Sequence, residues 1–195
     1  MGNIESGNFH HLIDREQKPE LTGQGKMAEN VVIEFFKMNF PSMQVRKATA
    51  KEDAGQVGFG PAKTVDAVAY LDQKPAMALQ VTSSTGEQFE EYRKKKLMEL
   101  KNKPFLRLEE MSSHDVAIPR ALVFVEPNEL KKFIADHDFA KHPNLGKTIL
   151  DSTLNSLKFD LLQTKNPKEI DRLRQLISLI DEQKMILDKK AGQTT

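Results

Sequence analysis

Asp66 and the triplet Gln80-Val81-Thr82 are the residues of this chain whose types and spacing are best suited to chemistry. They lie in TVDAVAYLDQKPAMALQVTSS, residues 64–84, which reads as two adjacent strands. Asp66 falls near the start of the first strand and the triplet on the second. Side chains alternate across a strand, so Gln80 and Thr82 share one face while Leu79 and Val81 point to the other. A carboxylate followed one hairpin later by two polar residues at i and i+2 is an unusual set to place on apolar strands. It suits a divalent cation that assists hydrolysis of a phosphodiester.

The elements around these residues follow from apolar periodicity. Met27, Ala28, Val31, Val32, Phe35 and Phe36 recur at helical spacing from Gly25, and Phe40-Pro41 ends the run. Glu29 lies at the edge of that stripe, close to Phe36 on the helical wheel, so it can reach a core boundary. Met43 to Ala50 reads as a strand, and the glycine-rich stretch 51–63 as a loop. Strands at 64–72 and 75–83 follow, joined by the tight connection Asp72-Gln73-Lys74-Pro75. Ser84 or Thr85 can cap a charged helix running to about Lys101, with Phe89, Tyr92, Leu97 and Leu100 inward. IPRALVFVE, residues 118–126, is apolar enough for a strand buried on both faces. A strand after a crossover helix usually lies parallel in the same sheet, so a mixed α/β core is expected.

The last third is helical in pattern. NELKKFIADHDF (128–139) is followed by two long helices at 146–163 and 167–190, separated by Thr164-Lys165-Asn166-Pro167. Leu150, Leu154, Leu157 and Leu161 form one stripe, and Ile170, Leu173, Leu176, Ile177 and Ile180 the other. Asn166 and Pro167 suit a cap and first helical turn. The stripes call for burial, either on the core or in a homodimer through these helices. Three segments result: an N-terminal arm at 1–20, an α/β core at 21–127 and a helical extension at 128–195.

Composition narrows the function classes. The 195 residues carry 29 Lys plus Arg against 28 Asp plus Glu, a net charge of +1, so no global basic signature marks a nucleic-acid binder. The absence of cysteine excludes a disulfide framework, thiolate metal ligands and a cysteine nucleophile. No apolar run approaches the roughly 20 residues of a membrane helix. The first residues lack the basic and apolar regions of a signal peptide, which points to a cytoplasmic protein with no membrane partner.

GKMAENVVIEFFKMNF, a strand and loop, and then TVDAVAYLDQKPAMALQVTSS together resemble the PD-(D/E)XK nuclease superfamily, over roughly residues 25–126. The resemblance implies a restriction-endonuclease-like αβββαβ core with a mixed central sheet, here followed by a C-terminal helical hairpin. It places Glu29 at the helical glutamate, Asp66 at the aspartate opening the second strand and Gln80 at the Glu/Gln position. The implied activity is Mg²⁺- or Mn²⁺-dependent hydrolysis of DNA, of restriction or repair type. The metal would be held by Asp66, the Gln80 side-chain oxygen, the Val81 backbone carbonyl and Glu29, directly or through water.

Thr82 departs from the pattern. The superfamily has a lysine there, and a hydroxyl cannot supply the charge of an ammonium. Lys94 or Lys95 on the following helix are the first replacements to consider, then Lys63 and Lys47. The alternative is a catalytically inactive relative that binds nucleic acid or another protein. A third class is an interaction module built on the helical hairpin.

Other signals have plainer readings. Glu52-Asp53 reads as a solvated turn, Arg93-Lys94-Lys95-Lys96 as an exposed helical face suited to a phosphate backbone, and the histidines as surface residues. GQVGFG lacks the Lys-Ser/Thr and the helix of a P-loop.

Overall fold

The computed structural model describes residues 18–48, 65–83, 94, 105–106 and 118–192. Helix α1 spans Lys18–Asn39. It is followed by strands β1 (Met43–Lys47), β2 (Ala67–Leu71) and β3 (Lys74–Ser83). The two-residue β4 (Phe105–Leu106) and the long β5 (Ile118–Val125) complete the sheet. Helices α2 (Pro127–Asp136), α3 (Pro143–Gln163) and α4 (Pro167–Gly192) come last, with a 3₁₀ turn at Phe139–Lys141 after α2. The chain is therefore α/β, with an open mixed sheet and C-terminal helices.

Strand order is β1-β2-β3-β5-β4. β1, β2 and β3 form an antiparallel meander, β5 runs parallel to β3, and β4 is antiparallel to β5. The β2–β3 connection is shorter than expected. Asp72 and Gln73 alone make the turn, both at positive φ (49° and 61°), the backbone that matches a tight hairpin to strand twist. Every residue of β5 is buried, in line with an apolar strand inside a layered fold.

One continuous hydrophobic cluster lies on the α1 side of the sheet. It joins Phe35 and Phe36 of α1, Leu79 of β3, Ala121 and Val123 of β5, Phe133 of α2, Leu145 to Leu157 of α3 and Leu173 to Ile180 of α4. The helices after residue 127 thus share the core of the sheet. Of the two stripes, Leu150, Leu154, Leu157, Leu173, Leu176 and Ile180 are buried in this core, and Leu161, Ile170 and Ile177 are partly buried. A smaller cluster of Val65, Val68, Ala78 and Ile118 lies on the opposite face, with Tyr70 against it.

Local chemistry sets the helix ends. The Asn166 side-chain oxygen accepts the Lys168 N–H at 3.1 Å, capping α4 directly before Pro167. Lys158 pairs with Asp181 at 3.3 Å and Lys184 with Asp151, fastening α3 to α4 along their exposed sides. Gly146 lets α3 approach α1: a Cβ there would lie 2.8 Å from Phe35 Cε2.

Several boundaries differ from the expectation. α1 begins at Lys18, inside the segment expected to be an arm and ahead of Gly25, where the helical spacing was read to start. β1 ends at Lys47 rather than Ala50. α3 begins at Pro143, where proline supplies the first turn. β4 carries too few residues for any periodicity to reveal it. The helix expected at 85–101 lies outside the described residues apart from Lys94, as do Lys63, Lys95 and Glu52-Asp53. No helix among the described residues is long and apolar enough to cross a membrane.

Candidate functional site

The site begins where β2 parts from β3. The last register pair at that end is Ala67 with Leu79. One residue earlier, the Asp66 N–H donates to the Leu79 carbonyl at 2.9 Å, while the Asp66 carbonyl accepts the Ala48 N–H at 3.0 Å. The next donor on β3, the Val81 N–H, is met by the carboxylate of Asp66, with Oδ2 at 2.7 Å. The side chain of Asp66 therefore carries the ladder one rung past the end of β2. A charged acceptor makes this a strong hydrogen bond.

The N–H and C=O of one strand residue leave on the same edge. The Val81 carbonyl accordingly faces the β2 side, beside Asp66 and beyond the end of the β2 pairing. Gln80 and Thr82 share the opposite sheet face from Leu79 and are half-buried. Their register partners on β5 are Leu122 and Phe124. The face carrying Gln80 also bears Val68 and Ala78, with Tyr70 and Arg46 toward the β1 edge. The Arg46 guanidinium lies 4.9 Å above the Tyr70 ring centroid and donates to its hydroxyl. Neither residue was singled out from the sequence, although an arginine and a tyrosine on neighbouring strands are a detectable pair.

Glu29 arrives from the other side. It projects from α1, 25% exposed, and Lys47 Nζ of β1 lies 3.8 Å from its Oε2. Lys47 is the register partner of Ala67, so the Glu29–Lys47 pair sits at the same end of the sheet as Asp66. Of the two replacement lysines among the described residues, Lys47 and Lys94, Lys47 lies beside a candidate acid. Lys94 is an exposed helical residue. Among the described residues, no group of three or more His, Asp or Glu side chains could hold a metal ion. The expected donor set has two such side chains, Asp66 and Glu29, and draws its other oxygens from Gln80 and the Val81 backbone.

A second polar arrangement went unread in the sequence. Ser152 and Ser156 of α3 lie along the edge of β5 facing away from β3. Ser156 Oγ accepts the Leu122 N–H at 2.9 Å, and Ser152 Oγ accepts the Phe124 N–H at 3.1 Å. One helical turn on, Asp160 is 1% exposed. Burial pushes its carboxyl up to about 8, with the nearby Arg120 opposing the shift. Ser152, Ser156 and Asp160, spaced i, i+4 and i+8, are a polar row that interrupts the leucine stripes, and that row was the available signal.

Comparison with known proteins returned no matching family model, no matching curated protein and no matching solved structure.

Proposed function

We propose that the chain is a metal-dependent nuclease of the PD-(D/E)XK, restriction-endonuclease-like type that hydrolyses DNA phosphodiester bonds. The reading rests on the order of helix, antiparallel three-stranded meander and fourth strand parallel to the third. Within that order, one observation carries it: Asp66 stands where β2 leaves β3, with the Val81 carbonyl directed to the same gap and Gln80 on the adjoining face. Such oxygen donors suit Mg²⁺ or Mn²⁺. A divalent cation held there supplies charge neutralisation at the scissile phosphate and a more acidic attacking water. Glu29 orients water or ligates from the α1 side, and Lys47 provides the ammonium that Thr82 lacks. The exposed Arg46 over Tyr70 offers a phosphate contact on the Gln80 face.

A second reading is a catalytically inactive protein of the same fold that binds nucleic acid or another protein. It is favoured by the bond between Asp66 and the Val81 N–H, which gives the aspartate a structural task, and by Thr82.

The test is supercoiled plasmid with Mg²⁺ or Mn²⁺, using wild type, Asp66→Asn, Lys47→Ala and Lys94→Ala. Metal-dependent nicking is expected in the wild type, its loss in Asp66→Asn and Lys47→Ala, and its retention in Lys94→Ala. DNA binding without cleavage establishes the second reading. Cleavage that survives Asp66→Asn rules out this site.

A further inference from the structure

We propose that the seam between α3 and β5 is a proton-gated joint: protonated Asp160 lies sealed against the strand, and loss of its proton loosens the helical hairpin from the β5 edge. The seam is built as a polar row facing a strand edge. Ser152 and Ser156 receive the N–H groups of Phe124 and Leu122, and Ser156 also donates to the Leu122 carbonyl at 3.3 Å. Asp160 continues the row toward the start of β5, where Arg120 is 4% exposed. Both carboxyl oxygens of Asp160 are buried, and neither has a hydrogen-bond partner among the described residues. A neutral carboxyl tolerates that setting far better than a carboxylate, which needs several donors or water.

The charges on the neighbouring elements leave this balance intact. Arg120 of β5 is the one charged group of the described residues whose field acts on Asp160, and it favours the carboxylate. Burial outweighs it. The ionic groups of α4 that face α3 are engaged elsewhere, Lys184 with Asp151 and Asp181 with Lys158. Arg172 of α4 donates to the Pro75 carbonyl. Asp136 at the end of α2 and Asp138, Lys141 and His142 in the connection to α3 pair among themselves.

The direction of the pH effect follows from the closed and open states. Closed, the carboxyl holds its proton up to about pH 8; opened to water, it titrates near 3.8. The open state therefore binds fewer protons between these values, and closure weakens as pH rises through that window. The opening constant should rise by up to about tenfold per pH unit and level off above the closed-state value.

Amide hydrogen exchange of the full chain reads the joint directly. Protection of the Leu122 and Phe124 amides, corrected for intrinsic exchange, is expected to fall about 100-fold from pH 5.5 to 7.5, following the tenfold-per-unit slope. In Asp160→Asn it should be flat over that range. Amides of the β2–β3 ladder serve as the reference and should hold their protection. Identical profiles in wild type and Asp160→Asn would overturn the proposal, as would parallel loss across the β2–β3 ladder. Should Asp160→Asn fail to fold, carbon-13 detection of the wild-type carboxyl decides. A midpoint near 8 is expected, and one below 5 refutes the gate.

Discussion

The carboxylate of Asp66 accepts the Val81 N–H at 2.7 Å, standing in for a backbone carbonyl at the point where β2 ends. An amide can make the same bond through its oxygen, whereas a methyl group cannot. Asp66→Asn should therefore stay close to wild-type stability, while Asp66→Ala leaves a partly buried donor unpaired and loses about 1–3 kcal/mol. Urea unfolding at neutral pH separates the two. Equal losses would show that the charge, rather than the bond, is what the fold uses.

The seam serines make a parallel case. Ser156→Ala removes the acceptor of the buried Leu122 N–H and should cost about 1–3 kcal/mol. Ser178→Ala, at an exposed position of α4, should change stability by less than about 0.5 kcal/mol. Thermal unfolding of both variants beside the wild type provides the measurement.

Gly146 is held by contact. A Cβ would lie 2.8 Å from the edge of the Phe35 ring, itself packed in the core between Phe36 and Phe139. Gly146→Ala should lose about 1–3 kcal/mol through overpacking. Phe35→Leu in that background should recover part of the loss, seen as a favourable coupling in a double-mutant cycle. Strict additivity of the two changes would exclude the contact as the cause.

Gly25 is the opposite case. It lies inside α1, and a Cβ there would meet nothing within 4 Å. Gly25→Ala should raise stability by about 0.5–1 kcal/mol through a smaller entropy loss on folding. A lower urea midpoint in Gly25→Ala would contradict this placement of the α1 start.

The central strands were legible because their side chains obey a period of two. Leu79 and Val81 face one cluster and Gln80 the other, as alternation required. β5 was legible from its unbroken apolar run, and α4 from Asn166-Pro167. The start of α1 was not, because the local penalty of Gly23 and Gly25 is about 1 kcal/mol each and a long buried helix face outweighs it. The candidate site was legible only in its residue types. That Asp66 would bond Val81, and that Lys47 would meet Glu29, depends on where β2 stops and how α1 crosses the sheet. Asp160 escaped notice because a polar residue beside a leucine stripe ordinarily faces water. Only the packing of α3 along a strand edge buries it.

The serine-lined seam bears on how far the chain can be divided. β5 shows α3 a row of backbone donors that would otherwise accept a further strand from another molecule. Shortening the protein at residue 127 to isolate an α/β half would uncover that row together with the apolar surface beneath α3. The product would be prone to edge-to-edge association and aggregation, whatever the catalytic competence of Asp66. The helices over residues 128–192 thus cover that row and belong to the folding unit of the sheet.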